Sequence, residues 1–192
     1  MSSQVIYSIA EDLDGIRTGY GNYGGTDRLD SDGWLARTKK AYRFFLGLPQ
    51  KAGVVVDFGS GAGIHLAVAD RMGFNFTGVD VEAMRDVWEP CHKALGVSDK
   101  IKWVSDAYDR LPFPDNSVDC LYGLSSIWKY REDDEEKDDI LHYRYSEIMR
   151  VMNPTGTLVI GPKRHYDIWQ DMDISAGLHV WYFQKGAYYQ IR

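Results

Sequence analysis

The sequence predicts an α/β fold, a mostly parallel sheet with helices on both faces and a C-terminal antiparallel β-hairpin. Three observations carry this expectation. The run Val54-Val55-Val56 lacks apolar/polar alternation, which suits a strand buried on both faces in the middle of a parallel sheet. It ends in Asp57-Phe58-Gly59-Ser60-Gly61-Ala62-Gly63 and opens directly into a helical pattern, after which short apolar strands and helical stretches alternate to about residue 160. Finally, Val180-Trp181-Tyr182-Phe183 and Ala187-Tyr188-Tyr189-Gln190-Ile191 flank the short turn Gln184-Lys185-Gly186, as the two arms of a hairpin do.

Composition narrows the class. The 192 residues are enough for one domain with its own core, expected as a unit over 1–192 with an N-terminal lid and helix in 1–50 and the sheet core in 51–192. Hydrophobic residues make up 44% and charged residues 26%, and no apolar run reaches membrane-spanning length. Residues 1–14 lack the basic start and apolar core of a signal peptide, so a cytoplasmic protein is expected. Cys91 and Cys120 have no metal-ligand spacing, which reads as two reduced thiols and no metal site. A net charge of −6 disfavours a nucleic-acid partner.

Taken in order, Gly15 to Gly25 interleaves glycine with Tyr20 and Tyr23, the composition of a lid that closes over a ligand; a disordered arm is the alternative. From Asp32, the residues Trp34-Leu35, Thr38, Tyr42 and Phe45-Leu46 recur at helical spacing, and Gly47 and Pro49 end that helix. After the glycine turn, Ile64, Ala67-Val68 and Met72 mark a helix that Gly73 can cap. Phe76-Thr77-Gly78-Val79 forms a second strand ending in Asp80, and residues 81–95 read as a helix that Pro90 kinks or divides. Ile101-Lys102-Trp103-Val104-Ser105 is a third strand, followed by Asp106-Ala107; Val118 to Gly123 is a fourth. The charged run 131–139 leads into a helix with Ile140-Leu141, Tyr145, Ile148-Met149 and Met152 as its stripe; Asn153-Pro154-Thr155-Gly156 is a stop, and Thr157-Leu158-Val159-Ile160 a fifth strand.

The glycine turn reads as a cofactor cradle, since missing Cβ atoms at Gly59, Gly61 and Gly63 let a ligand approach the backbone and a helix N-terminus. A dinucleotide fingerprint needs a glycine where Ile64 stands, and no Lys-Ser/Thr pair marks a phosphate loop. Asp57, two residues before the first glycine, would repel a pyrophosphate, so a cationic cofactor fits better; a purely structural corner is the alternative. Asp80, about twenty residues on at a strand end, is placed to accept from ribose hydroxyls, unless it is a helix cap or surface acid. Asp106 with the Ala107 backbone could read an adenine, or Asp106 could simply form a turn.

The Asp57-x-Gly-x-Gly-x-Gly turn resembles motif I of the class I S-adenosylmethionine-dependent methyltransferases. The series Asp106-Ala107, Leu111-Pro112-Phe113-Pro114-Asp115-Asn116-Ser117 and Asp119 is similar to families related to the ubiquinone and menaquinone biosynthesis methyltransferases. Glu147-x-x-Arg150-Val151-x-x-Pro154-x-Gly156 agrees, with Thr155 where a second glycine is common. The resemblance covers about residues 50 to 162. It implies a Rossmann-like, doubly wound, seven-stranded sheet, S-adenosyl-L-methionine as cofactor, and contacts to it from Asp57, Gly59, Gly61, Asp80, Asp106 and Ala107; the composition of the lid adds Tyr20 as a residue expected over the ligand. A small-molecule methyl acceptor is expected, because Gly123-Leu124-Ser125-Ser126 stands where base-methylating enzymes carry an Asp/Asn-Pro-Pro-aromatic turn. His165, past the fifth strand, is the candidate general base, with a structural or substrate-shaping role as the alternative; Trp128, Lys129 and Tyr130 could wall the acceptor pocket. Two other functions stay open on the same fold, an aminopropyl transferase and a cofactor-binding subunit that activates a partner.

Overall fold

The computed structural model describes residues 2–16, 31–105, 110–124, 137–161, 178–184 and 187–190. Seven strands, β1 (Val55–Phe58), β2 (Phe76–Val81), β3 (Ile101–Val104), β4 (Val118–Leu124), β5 (Met152–Gly161), β6 (His179–Gln184) and β7 (Ala187–Gln190), form one sheet in the order β3-β2-β1-β4-β5-β6-β7. Every neighbouring pair from β3 to β6 is parallel, and β7 closes the edge antiparallel to β6. The fold is thus the mostly parallel, Rossmann-like sheet with an antiparallel terminal pair. Strand order reverses between β1 and β4, so the crevice beyond their carboxyl ends is the sheet's switch point.

Of the three successive valines, Val54 stands before β1 and is exposed, which corrects its reading as a buried strand residue, while the two in β1 split between two cores. Val55 faces one side, where Cys120, Tyr122 and Val159 of β4 and β5 join it, and Val56 faces the other with Leu121, Leu158 and Ile160. The first side is covered by α1 (Ser2–Asp12), α2 (Ser31–Gly47), α3 (Ile64–Arg71) and α4 (Arg85–Leu95), through residues such as Ile9, Phe44, Leu66 and Trp88. The second is covered by Ile148 and Val151 of α5 (Lys137–Val151) and by Leu111 and Phe113 of the segment before β4.

Several local expectations change in the structure. No helix was read in residues 2–12, yet Ile9 and Leu13 are fully buried one turn apart and tie α1 to the first core. In α2 the buried stripe runs through Trp34, Thr38, Ala41 and Phe45 to Leu48, while Leu46 is 55% exposed, since it lies off that 3.6-residue stripe. Pro90 neither ends nor divides its helix, which is preceded by a short 3-10 turn at Glu82–Met84. The Asn153 to Gly156 stretch does stop α5, but it lies inside β5 as an irregularity: Val118 pairs with Met152 and Cys120 with Thr157. Among the described residues no helix is long and apolar enough to cross a membrane. The charged run 131–136 lies outside the described residues.

Arg150 locks the segment before β4 onto α5. Its Nε and Nη2 donate to the two carboxylate oxygens of Glu147, each at 2.8 Å, and Nη2 also donates to the Leu111 carbonyl at 3.1 Å. Nη1 donates to the Phe113 carbonyl at 3.1 Å and to Asp115 Oδ1 at 2.6 Å. Glu147 in turn accepts from the Leu111 N–H at 2.9 Å. Pro112 and Pro114 carry no N–H, so fewer local donors serve the carbonyls of this segment, and the guanidinium fork takes over that task. The same guanidinium holds the Glu147 and Asp115 carboxyls below the usual carboxylate range. Arg150→Ala is therefore expected to lower the free energy of unfolding by roughly 2–4 kcal/mol, because the Glu147 carboxylate loses its charged partner and keeps only the Leu111 N–H, and the Phe113 carbonyl loses the guanidinium donor. Arg150→Lys should recover less than half of that, since an ammonium cannot serve the fork of acceptors. Urea unfolding of the three proteins checks this, and an unchanged midpoint in the alanine variant would remove Arg150 from this role.

Candidate functional site at the sheet's switch point

The turn after β1 is held by its own backbone. The Gly59 and Ser60 N–H groups both donate to the Val79 carbonyl of β2, at 2.8 and 3.2 Å, and Gly63 N–H donates to the Ser60 carbonyl at 3.0 Å. Gly59, Gly61 and Gly63 have φ of 74°, 52° and 75°, the left-handed region in which a Cβ is strained. Alternate left-handed residues turn the chain back tightly enough to start α3 at Ile64, and Gly63 caps that helix without a side-chain bond. The first N–H groups of α3 are thereby left at the crevice.

Gly61 and Gly63 serve different ends. A Cβ on Gly61 would meet no atom within 4 Å, so that flank is open to a ligand. A Cβ on Gly63 would come within 2.9 Å of His92 Cδ2 and 3.1 Å of Val97 Cγ2. Its absence makes room for α4 and the residues just after it, not for a ligand, which corrects the reading of Gly63 as part of the cradle.

Two of the three expected carboxylates, Asp80 and Asp57, lie on strands that flank the turn. Asp80, at the end of β2, accepts from Gly61 N–H at 2.7 Å through Oδ2 and from Val81 N–H at 2.8 Å through Oδ1. Burial raises its pKa, and those two bonds oppose the rise. Asp57 is only 3% exposed, and in the sheet register it lies beside Tyr122 of β4. Burial, and then the charge of Asp80, push its carboxyl from the ordinary 3.8 up to about 8. The Tyr122 hydroxyl opposes this rise, but it is outside hydrogen-bonding geometry: Asp57 Oδ2 and Tyr122 Oη are both buried without a partner. Ser60 Oγ in the turn and His65 Nε2 on α3 are likewise buried and unpaired. Burial, then the charge of Lys40, lower the His65 pKa to about 4, so its ring is neutral.

Two residues at this site had no assigned role in the sequence. Tyr122 was only a strand residue, because its place beside Asp57 depends on strand order and register. His92 belongs to the buried stripe Trp88, Cys91, His92 and Leu95 of α4, and its Nε2 donates to the Gly61 carbonyl at 2.7 Å. A histidine in an otherwise apolar i, i+3, i+4, i+7 stripe was the signal available. Tyr20, Asp106, Ala107 and His165, with Trp128, Lys129 and Tyr130, lie outside the described residues.

The turn geometry predicts an asymmetry between two substitutions. Gly61→Ala should cost about 1 kcal/mol of stability, from its left-handed backbone alone. Gly63→Ala carries the same backbone strain and must also displace His92 and Val97, so it should cost more, about 2–3 kcal/mol. Thermal and urea unfolding compare them, and equal losses would refute the different uses of the two glycines.

A family model described as "Methyltransferase domain" matches residues 56–160. A sterol 24-C-methyltransferase, ERG6B, of Gibberella zeae is 33% identical over 79 residues, which are 41% of this chain and 19% of that protein. The match thus spans about a fifth of that relative's length. The crystal structure of the PH0226 protein of Pyrococcus horikoshii OT3 superposes with a TM-score of 0.53 at 22% identity, over 67% of this chain and 57% of the other, and shares its fold. The sheet order, the glycine turn with its two acids, and a family match across residues 56–160 of 192 agree: this chain belongs to the methyltransferase-domain family, the class I S-adenosylmethionine-dependent methyltransferases.

Proposed function

We propose that this chain binds S-adenosylmethionine over the Gly59–Gly63 turn and transfers its methyl group to a small-molecule acceptor. The observation that carries the reading is the open flank of Gly61, set between an acid with an unpaired buried oxygen, Asp57, and a second acid, Asp80. A cationic ligand suits this pair, because it supplies the charge that both carboxylates lack in a desolvated position. In this reading Asp57 faces the positively charged part of the cofactor. Asp80 accepts from the ribose hydroxyls with lone pairs not used by Gly61 and Val81. Asp106 and Ala107 hold the adenine, Tyr20 covers the ligand, and His165 is the candidate base for an acceptor whose proton must leave.

S-adenosylmethionine supplies an electrophilic methyl group on a sulfonium. The chain's own contribution is alignment, with a rigid backbone turn and fixed carboxylates holding one reactant so that the other meets it in line. The acceptor is read as a small molecule because Gly123-Leu124 closes β4 without the Pro-Pro-aromatic turn of base-methylating enzymes. The name of the matching sterol methyltransferase is in keeping with such an acceptor.

Two expectations follow from these roles. S-adenosylmethionine and S-adenosylhomocysteine should each raise the melting temperature, and Asp80→Ala should weaken binding by roughly 1.5–3 kcal/mol, the value of hydrogen bonds to a charged acceptor. Calorimetric titration with no heat from the wild-type chain would defeat the proposal. The second concerns pH. Because the Asp57 carboxyl ionises in the folded protein only near 8, a cation that needs its charge must drive off a proton at lower pH. Affinity for S-adenosylmethionine should therefore rise from pH 6 to 8, and Asp57→Asn should flatten the rise; an equal slope in both proteins would take Asp57 out of contact with the cation. Folding stability has the opposite sign. The folded state holds this proton between 3.8 and about 8 while the unfolded chain does not, so this carboxyl's contribution falls as pH rises through that window.

A further inference from the structure

We infer that His92 is a positioning residue of the cofactor site: it holds the Gly61 residue by its carbonyl, while Asp80 holds it by its N–H, and so sets the shape of the turn. This deepens the function proposed above and rests on it. The Gly61 backbone is held on both sides: its N–H, in the peptide with Ser60, by Asp80 Oδ2, and its carbonyl, in the peptide with Ala62, by His92 Nε2, each at 2.7 Å. Gly61 is also the residue whose missing side chain leaves the open flank. The two clamping groups come from different elements, β2 and α4, so neither can be read from the turn's own sequence.

The histidine is built into its place. It is 1% exposed, its ring packs against Trp103 of β3 at 5.7 Å between centroids, and Gly63 lacks a Cβ where that ring passes. Trp103 is itself covered by the Arg85 guanidinium, 5.1 Å from its ring. A carbonyl can only accept, so Nε2 carries the hydrogen. Burial lowers the pKa of the ring, while the Gly61 bond and the charge of Glu89 act the other way. A ring serving only to fill space could be any aromatic. This one also supplies a donor to a carbonyl that would otherwise stand unpaired beside the site, and losing that donor lets the peptide rotate out of the shape a ligand needs.

Two substitutions separate donor from filler. His92→Phe keeps a ring against Trp103 and Gly63 but removes the donor, whereas His92→Gln keeps an N–H donor at similar reach. In calorimetric titration with S-adenosylhomocysteine, the phenylalanine variant is expected to bind about tenfold more weakly and the glutamine variant within about threefold of wild type. Binding by a folded His92→Phe within twofold of wild type, or equal loss in both variants, would overturn the inference. Should the phenylalanine variant fail to fold, His92→Met against His92→Gln makes the same comparison, and equal affinities overturn it. Hydrogen exchange at the Gly61 amide gives a second reading without ligand: it should speed up in His92→Phe and not in His92→Gln, and unchanged exchange counts against His92. If the wild-type chain binds no S-adenosylhomocysteine, the proposed function fails, and the exchange data still decide whether His92 sets the turn.

Discussion

The structure depends on one constraint, that β1 is buried on both faces at the point where strand order reverses. A strand in that position carries apolar residues until its carboxyl end nears the crevice, and its first polar side chain falls there, still inside the sheet. Asp57 is that side chain, and its sheet neighbours are Gly78 on one side and Tyr122 on the other. Gly78 has its own reason to lack a side chain. A Cβ there would press on Leu66 of α3 at 2.7 Å, on Ile101 at 2.8 Å and on Ser60 at 2.9 Å. Its absence lets α3 and the glycine turn settle onto β2, which brings the turn within reach of Asp80. Burial of one strand thus sets the depth of the turn, the isolation of one acid and the engagement of the other.

That arrangement works against stability at the turn. A carboxyl whose pKa is pushed to about 8 by burial and a neighbouring acid is more weakly accommodated when ionised than it would be in water. Unpaired buried polar atoms on Asp57, Tyr122, Ser60 and His65 add to the cost. Such features collect at functional sites and are held in place by the rest of the fold. Here the aromatic packing beneath them, with Phe44, Phe45, His65, Phe76 and Tyr122 in mutual ring contact, and the backbone bonds of the turn provide that support.

The Arg150 clamp explains why two distant motifs occur in one chain. Leu111-Pro112-Phe113-Pro114-Asp115 and Glu147-x-x-Arg150 are separate in sequence, but the guanidinium joins the carbonyls of Leu111 and Phe113 and the acid of Asp115 to Glu147 on α5. Asn116 and Ser117 then donate from their backbone to the carbonyls of Arg150 and Val151 at 2.8 Å, which aims the chain into β4. The two motifs are one hydrogen-bonded unit covering the second face of the sheet, away from the glycine turn.

Much of this was legible in the sequence. Val55 and Val56 marked a central strand, though Val54 before it is exposed, the glycines marked a sharp strand-to-helix turn, and the spacing marked Asp80 as an acid near a strand end; the structure has these elements in that order. They are local features, set by the steric freedom of glycine, the period of a strand and the length of a strand-helix-strand unit. The α1 helix was missed because a short stripe of Ile9 and Leu13 gains its meaning only from the core it covers. The use of Gly63, the pairing of Asp57 with Tyr122 and the bond from His92 to Gly61 were decided by tertiary structure alone. Each depends on how close two elements approach and in what register, and those distances are set by packing between segments far apart in the chain.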